Sequence, residues 1–515
     1  MLLNFKNEPF TDFTLKENQT AMGEALSQLD KQKGKHYSLI IGGKKTDTKD
    51  KITSINPSNG SEIIGTVAKA DKDLAEQAMA GALKAFDKWK RVEAKARANY
   101  LFQIAAKMRQ QKYELSALLI EEVGKTWVEA DADVAEAIDF LEYYGSQMLE
   151  YDKGMPVSPV PGETNECKYI PLGVGIVISP WNFPLAILTG MTASSIVTGN
   201  TVIIKPASNS PIIAAKFMEI LEEVDLPAGV VNYLPGSGDL VGDYLVRHPK
   251  TRFINFTGSK EVGLRINRMA ADFAPGQIWI KRVIAELGGK NAIIVDKTAD
   301  LNAAAQGIVT SAFGFQGQKC SACSRAIILE DVYDEIVDKI ITLTQKLKVG
   351  PARNYDVDVS PVIDSKALKN ILNYIEIGKT EGKLLVGGEQ VGEKGYFIAP
   401  TIFEGVNPKA RIAQEEIFGP VLAIIKAKDF NEALEIANDT VYGLTGSVYS
   451  KDKNNLDIAR REFHVGNLYL NRKCTAALVG GQPFGGFNLS GTDSKAGGAD
   501  YLMLFLQPKS ISEEI

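Results

Sequence analysis

With 515 residues, 45% of them hydrophobic, the chain exceeds what one core holds and has the apolar content for two or three domains. A formal net charge of −5, from 58 basic and 63 acidic residues, makes no broad cationic field; nucleic acid and anionic membrane are excluded as expected partners, leaving small molecules and proteins. No stretch approaches about 18 uncharged apolar residues, and MLLNFKNEPFTDF has neither a signal-peptide core nor an Arg-rich transit character, so the cytoplasm is the expected compartment.

From about residue 70 to 150, apolar residues recur at three- and four-residue spacing in DKDLAEQAMAGALKAFDKWK, RANYLFQIAAKMRQQKYELSALLIEEVGKT and VEADADVAEAIDFLEYYGSQM, which predicts one amphipathic helix for each segment. Past the Pro- and Gly-marked GMPVSPVPGE, short β-branched runs alternate with helices: GVGIVISP, a helix from about Pro184 to Thr198, TVIIKP, PIIAAKFMEILEEV, VVNYLPG, DLVGDYLVRH and RFINFTGS. Such alternation predicts a parallel sheet covered on both faces, a doubly wound α/β domain. A second series is expected from near Arg282: RVIAEL, a GG turn, NAIIVD, the helix LNAAAQGIVTSAFGF, a cysteine loop, RAIILE, a long helix near VYDEIVDKIITLTQKL, and further units to about residue 470. The end, YLMLFLQPKSISEEI, reads as a strand that pairs elsewhere, and no internal repeat is present.

Four cysteines (Cys167, Cys320, Cys323, Cys474) are too few for a secreted disulfide framework, and three scattered histidines give no H-x-x-x-H or G-x-S-x-G context. Free thiols are expected, and neither imidazole-based catalysis nor a metal site. Gly236-Ser-Gly238-Asp-Leu-Val-Gly242 follows a strand and opens a helix, but misses G-x-G-x-x-G by one residue in the last gap. Phe256-Thr257-Gly258-Ser259-Lys260-Glu261-Val262-Gly263 combines a hydroxyl, glycines and helix N-terminal amides, groups that suit a pyrophosphate. In FGFQGQKCSACSR, residues 313 to 325, a strand-like run follows the second cysteine where a redox pair wants a helix N-terminus, and zinc lacks two further soft ligands. A single nucleophilic thiol is therefore favoured over a buried structural pair, and both over redox or zinc. Such a thiol needs oxyanion donors and a water base. Asn182, just past a strand, and Glu286, at a strand end beside Gly288 and Gly289, supply those residue types.

Taken together, SPWNFPLAI, GNTVIIKPAS, FTGSKEVG, IAELGGKNAIIVD, GQKCSACSRAI, QEEIFGPV and QPFGGFNLSGTDSKAGG run in order from about residue 170 to 500 and closely resemble the aldehyde dehydrogenase superfamily. NEPFTDF and EAIDFLEYY extend the resemblance, within that family, to the branch that oxidises glutamate semialdehyde, so nearly the whole chain is covered. The implied fold is α/β, with a Rossmann-type nucleotide-binding domain in residues 1–155 and 173–285 and an α/β catalytic domain in 286–489. A small β extension for oligomerisation would comprise 156–172 and 490–515, giving a homodimer or a higher homo-oligomer.

The resemblance implies that Cys320 is the nucleophile, that Asn182 and the cysteine N–H hold the oxyanion, and that Glu286 deprotonates the hydrolytic water. It implies NAD as cofactor: Lys205 on the adenine ribose, the turn of Gly258, Ser259 and Gly263 beside the pyrophosphate, Glu416 on the nicotinamide ribose and Phe418 packed nearby. Ser208 stands where NAD-preferring members often carry glutamate, which leaves NADP use open. For substrate, Phe183 and Phe484 would flank the aliphatic chain, Ser321 and the backbone of Ala476 and Ala477 would bind the α-carboxylate, and Glu136 would meet the amino group. The expected reaction is oxidation of L-glutamate 5-semialdehyde to L-glutamate in proline and arginine breakdown, the alternative being another small aldehyde. Ala476 departs from the glycine usual there, and its methyl is expected to narrow the pocket or to strain a positive φ. Cys323 has no implied catalytic role and is expected to serve packing, though an adjacent thiol could form a disulfide with Cys320 under oxidation.

Overall fold

Short runs of Val and Ile buried on both faces form parallel sheets flanked by helices, and a computed structural model, describing residues 5–515, shows two such sheets. In the first, the spatial order is Arg282–Glu286, Thr251–Thr257, Val174–Ile178, Thr201–Lys205, Val231–Tyr233, Leu39–Ile41 and Lys44–Thr46. Its first five strands are parallel, and the last two are antiparallel additions from the N-terminal region. The second sheet runs Lys383–Val386, Thr401–Glu404, Val421–Ala427, Cys323–Leu329, Asn291–Val295, Thr445–Tyr449 and Asn467–Leu470, parallel except at its first strand.

The second series therefore starts at Asn291 and not near Arg282. The helix Lys260–Ala271, capped by Ser259, carries the chain from Thr251–Thr257 back to the same sheet, and Arg282–Glu286 pairs there in register from Phe253↔Arg282 to Thr257↔Glu286. A strand–helix–strand unit returns to the sheet it left; the break comes at Gly288–Gly289.

The N-terminal helices are Lys72–Trp89, Ala94–Gln110, Lys112–Val123 and Trp127–Tyr151. The segment read as one helix over 97–126 is divided at Gln111, whose φ of −102° and ψ of 20° are not helical, and ends at Gly124 in the left-handed region, φ 71°. Before them stand a helix, Lys16–Asp30, and a three-stranded sheet of Lys35–Tyr37, Asn59–Ala68 and Lys51–Asn56. The expected C-terminal strand is Leu506–Glu514, paired antiparallel with Glu163–Pro171 from Leu506↔Pro171 to Glu514↔Glu163. Among the described residues no helix is long and apolar enough to cross a membrane.

Candidate active site

Five of the expected residues stand at or just beyond the C-terminal ends of neighbouring strands of the first sheet. Lys205 and Glu286 end their strands, Gly258 and Ser259 follow Thr257, and Asn182 lies four residues past Ile178; the registers Ile178↔Lys205, Phe256↔Ile178 and Thr257↔Glu286 align these ends. Strand order reverses between Val174–Ile178 and Thr251–Thr257, and such a reversal opens a crevice where α/β sheets bind ligands.

The opposite wall is the loop between the helix Leu301–Phe313 and the strand Cys323–Leu329. Phe315, Gln316 and Gly317 are successively left-handed, with φ of 47°, 54° and 65°, a conformation that costs non-glycine residues about 1–2 kcal/mol each. Surrounding structure enforces it: the Gln318 side chain accepts from Ile363 N at 3.0 Å, and a Cβ on Gly317 would sit 2.3 Å from the Gly419 carbonyl oxygen. Asn291 then secures the cysteine, its Nδ2 donating to the carbonyls of Cys320 at 2.7 Å and Ala322 at 2.9 Å. Gly289 is required beneath, since a Cβ there would lie 2.5 Å from the Cys320 oxygen.

Between these walls is a cavity of about 200 Å³ lined by Cys320, Ser321, Glu286, Glu136, Phe183, Phe484, Ala476 and Ala477. Glu286 is buried; its Oε1 accepts from Ser494 Oγ at 2.5 Å, while Oε2 finds no partner among the described residues. Burial pushes its carboxyl up to about 8, against the Ser494 hydrogen bond and the Lys495 charge. Glu136 is also pushed up to about 8, first by burial and then by Asp133. The Cys320 thiol is pushed up to about 12 by burial and then by the carboxylates of Glu416 and Glu286. Asn182 is not among the residues lining the cavity; it is buried, with Nδ2 donating to the Gln318 carbonyl at 3.0 Å, two residues before Cys320, and its second amide hydrogen has no acceptor among the described residues.

On the crevice side, buried Lys205 makes one long contact, 3.4 Å to the Pro206 carbonyl, and burial lowers its amine to about 8. Glu416 Oε1 accepts from Gly289 N at 3.0 Å, and a Cβ on Gly288 would come 2.1 Å from the other oxygen. Phe418, at φ 58°, meets Trp181 edge-on with centroids 5.5 Å apart. Ser259 caps the helix Lys260–Ala271, whose first-turn amides have no intrahelical acceptor. An under-satisfied buried ammonium, a carboxylate over paired glycines and open helix amides fit a dinucleotide. Two expected details change. The Gly258 N–H is already taken by the Glu286 carbonyl at 3.1 Å, and Gly263 serves packing, since a Cβ there would meet Leu287 Cδ2 at 2.3 Å. Ser208 is exposed in the turn after Lys205.

The aldehyde dehydrogenase family profile matches residues 44–511.

The chain belongs to the aldehyde dehydrogenase family.

Within that family it is 61% identical over 513 residues to the 1-pyrroline-5-carboxylate dehydrogenase of Geobacillus thermodenitrificans, each covered completely. It matches the crystal structure of 1-pyrroline-5-carboxylate dehydrogenase from Thermus with bound NAD at a TM-score of 0.98 and 55% identity, with full coverage of both chains. Proline utilization A from Bdellovibrio bacteriovorus matches at a TM-score of 0.98 and 44% identity, over 99% of this chain and 53% of that one.

Several residues lining this aldehyde dehydrogenase cavity were not picked out in the sequence, Lys319 and Phe10 among them. Lys319 lines it, with Nζ 2.7 Å from Glu129 Oε1; a cation directly before the candidate thiol was the available signal. Phe10 reaches the mouth from the N-terminal segment, which is pinned to the helix Trp127–Tyr151 by Asn7 Nδ2 on Asp139 at 2.8 Å and Thr11 N on Asp131 at 2.8 Å. Contacts 120 to 132 residues apart leave no local pattern. Cys323, expected to serve packing, is buried in the core of the second sheet together with Cys474, its thiol against the Arg325 carbonyl at 3.4 Å. Among the described residues no group of three His, Cys, Asp or Glu side chains is placed to hold a metal ion.

Ala476 does lie in the left-handed region, at φ 64°, and Arg472 Nη2 donates to the carbonyls of Thr475 and Ala476 at 3.0 and 3.1 Å. The left-handed strain of an L side chain, about 1–2 kcal/mol, exceeds the roughly 0.4–1 kcal/mol that alanine gains by restricting the unfolded chain. Ala476→Gly is therefore expected to raise the thermal unfolding midpoint by a few degrees or less; a lowered midpoint would show that the loop is not strained there.

Proposed function

We propose that this aldehyde dehydrogenase oxidises L-glutamate 5-semialdehyde, the open form of 1-pyrroline-5-carboxylate, to L-glutamate, as a step of proline and arginine breakdown. The observation that carries this reading is one cavity holding a thiol, a carboxylate with a spare oxygen, and a second carboxylate. Cys320 Sγ adds to the aldehyde carbon while the free Asn182 amide hydrogen and the Cys320 N–H hold the oxyanion. NAD, bound by Lys205, the first turn after Ser259 and Glu416, supplies an acceptor for the hydride that the aldehyde carbon must lose. The thioester left on Cys320 is hydrolysed by a water whose proton passes to Glu286 Oε2. Atoms balance as aldehyde plus water giving carboxylate, with a hydride and two protons released.

The semialdehyde's two other charges select it. Glu136 faces the ammonium, which would draw its raised carboxyl back into the ionised form, and Ser321 with the amides near Ala476 and Ala477 receives the α-carboxylate. The name of the 61% identical Geobacillus relative supports that choice. Ser208 places no negative charge three residues past Lys205, which removes one source of repulsion against a 2′-phosphate and leaves NADP use open beside NAD. The same reading takes residues 1–155 and 173–285 as the NAD-binding domain and 286–489 as the catalytic domain. It takes 156–172 with 490–515 as a dimer-forming extension in a cytoplasmic enzyme. The strand Leu506–Glu514 pairs only with Glu163–Pro171 among the described residues, and its other edge supports pairing with another subunit.

NADH formation with 1-pyrroline-5-carboxylate and with unsubstituted aliphatic aldehydes of similar length separates the two substrate readings. A site built for two charged groups is expected to favour the semialdehyde on the order of 10²-fold or more in kcat/KM. Equal or better turnover of the plain aldehydes would assign the enzyme to another substrate.

A further inference from the structure

Lys125 is not used by the chemistry above, yet it is fully buried at the junction of the two loops that carry Asn182 and Cys320. It follows Gly124, where the helix Lys112–Val123 ends. Its Nζ lies 3.8 Å from the ring centroid of Phe183 and 4.0 Å from that of Phe315, and these rings stand 6.2 Å apart at 72°. The ammonium finds no hydrogen-bond acceptor among the described residues. The carboxylate paired with it is Asp133, at 3.6 Å, and the other Asp133 oxygen accepts from Ala186 N at 2.7 Å, where the helix Ala186–Val197 begins.

Every one of these contacts leads to the reacting groups. Phe183 follows Asn182 directly. Phe315 opens the left-handed run that ends two residues short of Lys319, and the Gln318 carbonyl of that loop receives the Asn182 amide at 3.0 Å. A cation draws two aromatic faces towards itself, more strongly where water is excluded. It also costs the fold: a buried ammonium without hydrogen bonds is harder to accommodate than an apolar side chain of its length. Burial pushes the amine down, while Asp133 and Glu129 favour its charged form and Lys319 opposes it.

We infer that Lys125 is a positioning residue, its ammonium clamping the Phe183 and Phe315 rings so that the oxyanion amide of Asn182 is held in register with the Cys320 loop. The inference rests on the reading of Asn182 as an oxyanion donor.

The test is a double-mutant cycle on the full-length enzyme, with NADH formation from 1-pyrroline-5-carboxylate measured for Asn182→Ala, Lys125→Met and both together. Asn182→Ala is expected to lower kcat on the order of 10²-fold. Lys125→Met should lower kcat about tenfold or more with KM little changed, and lower the unfolding midpoint, because the buried Asp133 carboxylate loses its partner. If Lys125 acts through Asn182, the double variant falls within about twofold of Asn182→Ala alone. Losses that multiply, or a folded Lys125→Met with wild-type kcat, would overturn the clamp while leaving the active-site reading standing. Wild-type kcat in Asn182→Ala would overturn that reading, and the clamp with it. Phe315→Leu, which removes one ring face and keeps the lysine, runs the same cycle if Lys125→Met does not fold, and is held to the same two outcomes.

Discussion

Replacing Cys320 with alanine is expected to lower NADH formation on the order of 10⁴-fold or more, with the fold intact. The expectation follows from what else faces the aldehyde. Ser321 and Lys319 share the cavity, but the serine hydroxyl has no histidine to activate it and Lys319 is engaged with Glu129 at 2.7 Å. Cys323 cannot substitute, being buried in the second core on the strand beyond. The Cys320 side chain is only partly buried and the loop is held through its backbone by Asn291, so deleting one sulfur leaves the scaffold its supports. An unchanged unfolding midpoint with no turnover is the predicted pair of results. Substantial turnover would place the nucleophile elsewhere.

Glu286→Gln is expected to separate the two halves of the reaction. Removing a general base costs about 10²–10⁴-fold in the step it serves, and here that step is thioester hydrolysis. The variant should release close to one NADH per active site in a rapid burst and then nearly stop. Glutamine keeps an oxygen for the Ser494 hydroxyl, so the side chain retains its anchor. The pH dependence follows from the carboxyl raised to about 8 by burial. Below that value the group is protonated and cannot accept a proton; at pH 7 about one tenth is ionised. Steady-state turnover limited by hydrolysis should therefore climb as pH rises towards about 8 and level above it, and the climb should vanish in the glutamine variant. The stability linkage runs the other way. An unfolded Glu loses its proton near 4.5 and the folded one near 8, so the Glu286 contribution to stability falls across that window as pH rises, and Glu286→Gln removes that share of the fall. Steady turnover without a burst phase in Glu286→Gln would show that another group activates the water.

The α/β alternation from Val174 to Thr257 was legible because each element has its own period and each break its Gly or Pro. Three of the strands before residue 70 were not: Lys35–Tyr37, Leu39–Ile41 and Lys44–Thr46 have three residues each, too few for a period of two to emerge. Arg282–Glu286 resembles any buried strand, and only its pairing tells which sheet it closes. In the site, Cys320, Glu286 and Asn182 were legible as candidates through their motifs, which place polar groups at strand ends and Gly-rich turns. Phe10 and Lys125 were not, because their meaning lies in neighbours far along the chain: the cavity mouth for one, and Phe183 and Phe315 for the other. The Asn182–Gln318 bond likewise joins positions 136 residues apart. The Ala476 strain was foreseen as a condition on φ, and the backbone supplied the angle of 64°.

The most direct measurement is the mass of the enzyme during turnover. Glu286→Gln, mixed with NAD and 1-pyrroline-5-carboxylate and quenched in acid after the burst, should carry one glutamyl group in thioester linkage, and peptide mapping should find it on Cys320. NADH released with no acyl group on the protein, or with the group on any residue other than Cys320, would contradict capture of the aldehyde by that sulfur.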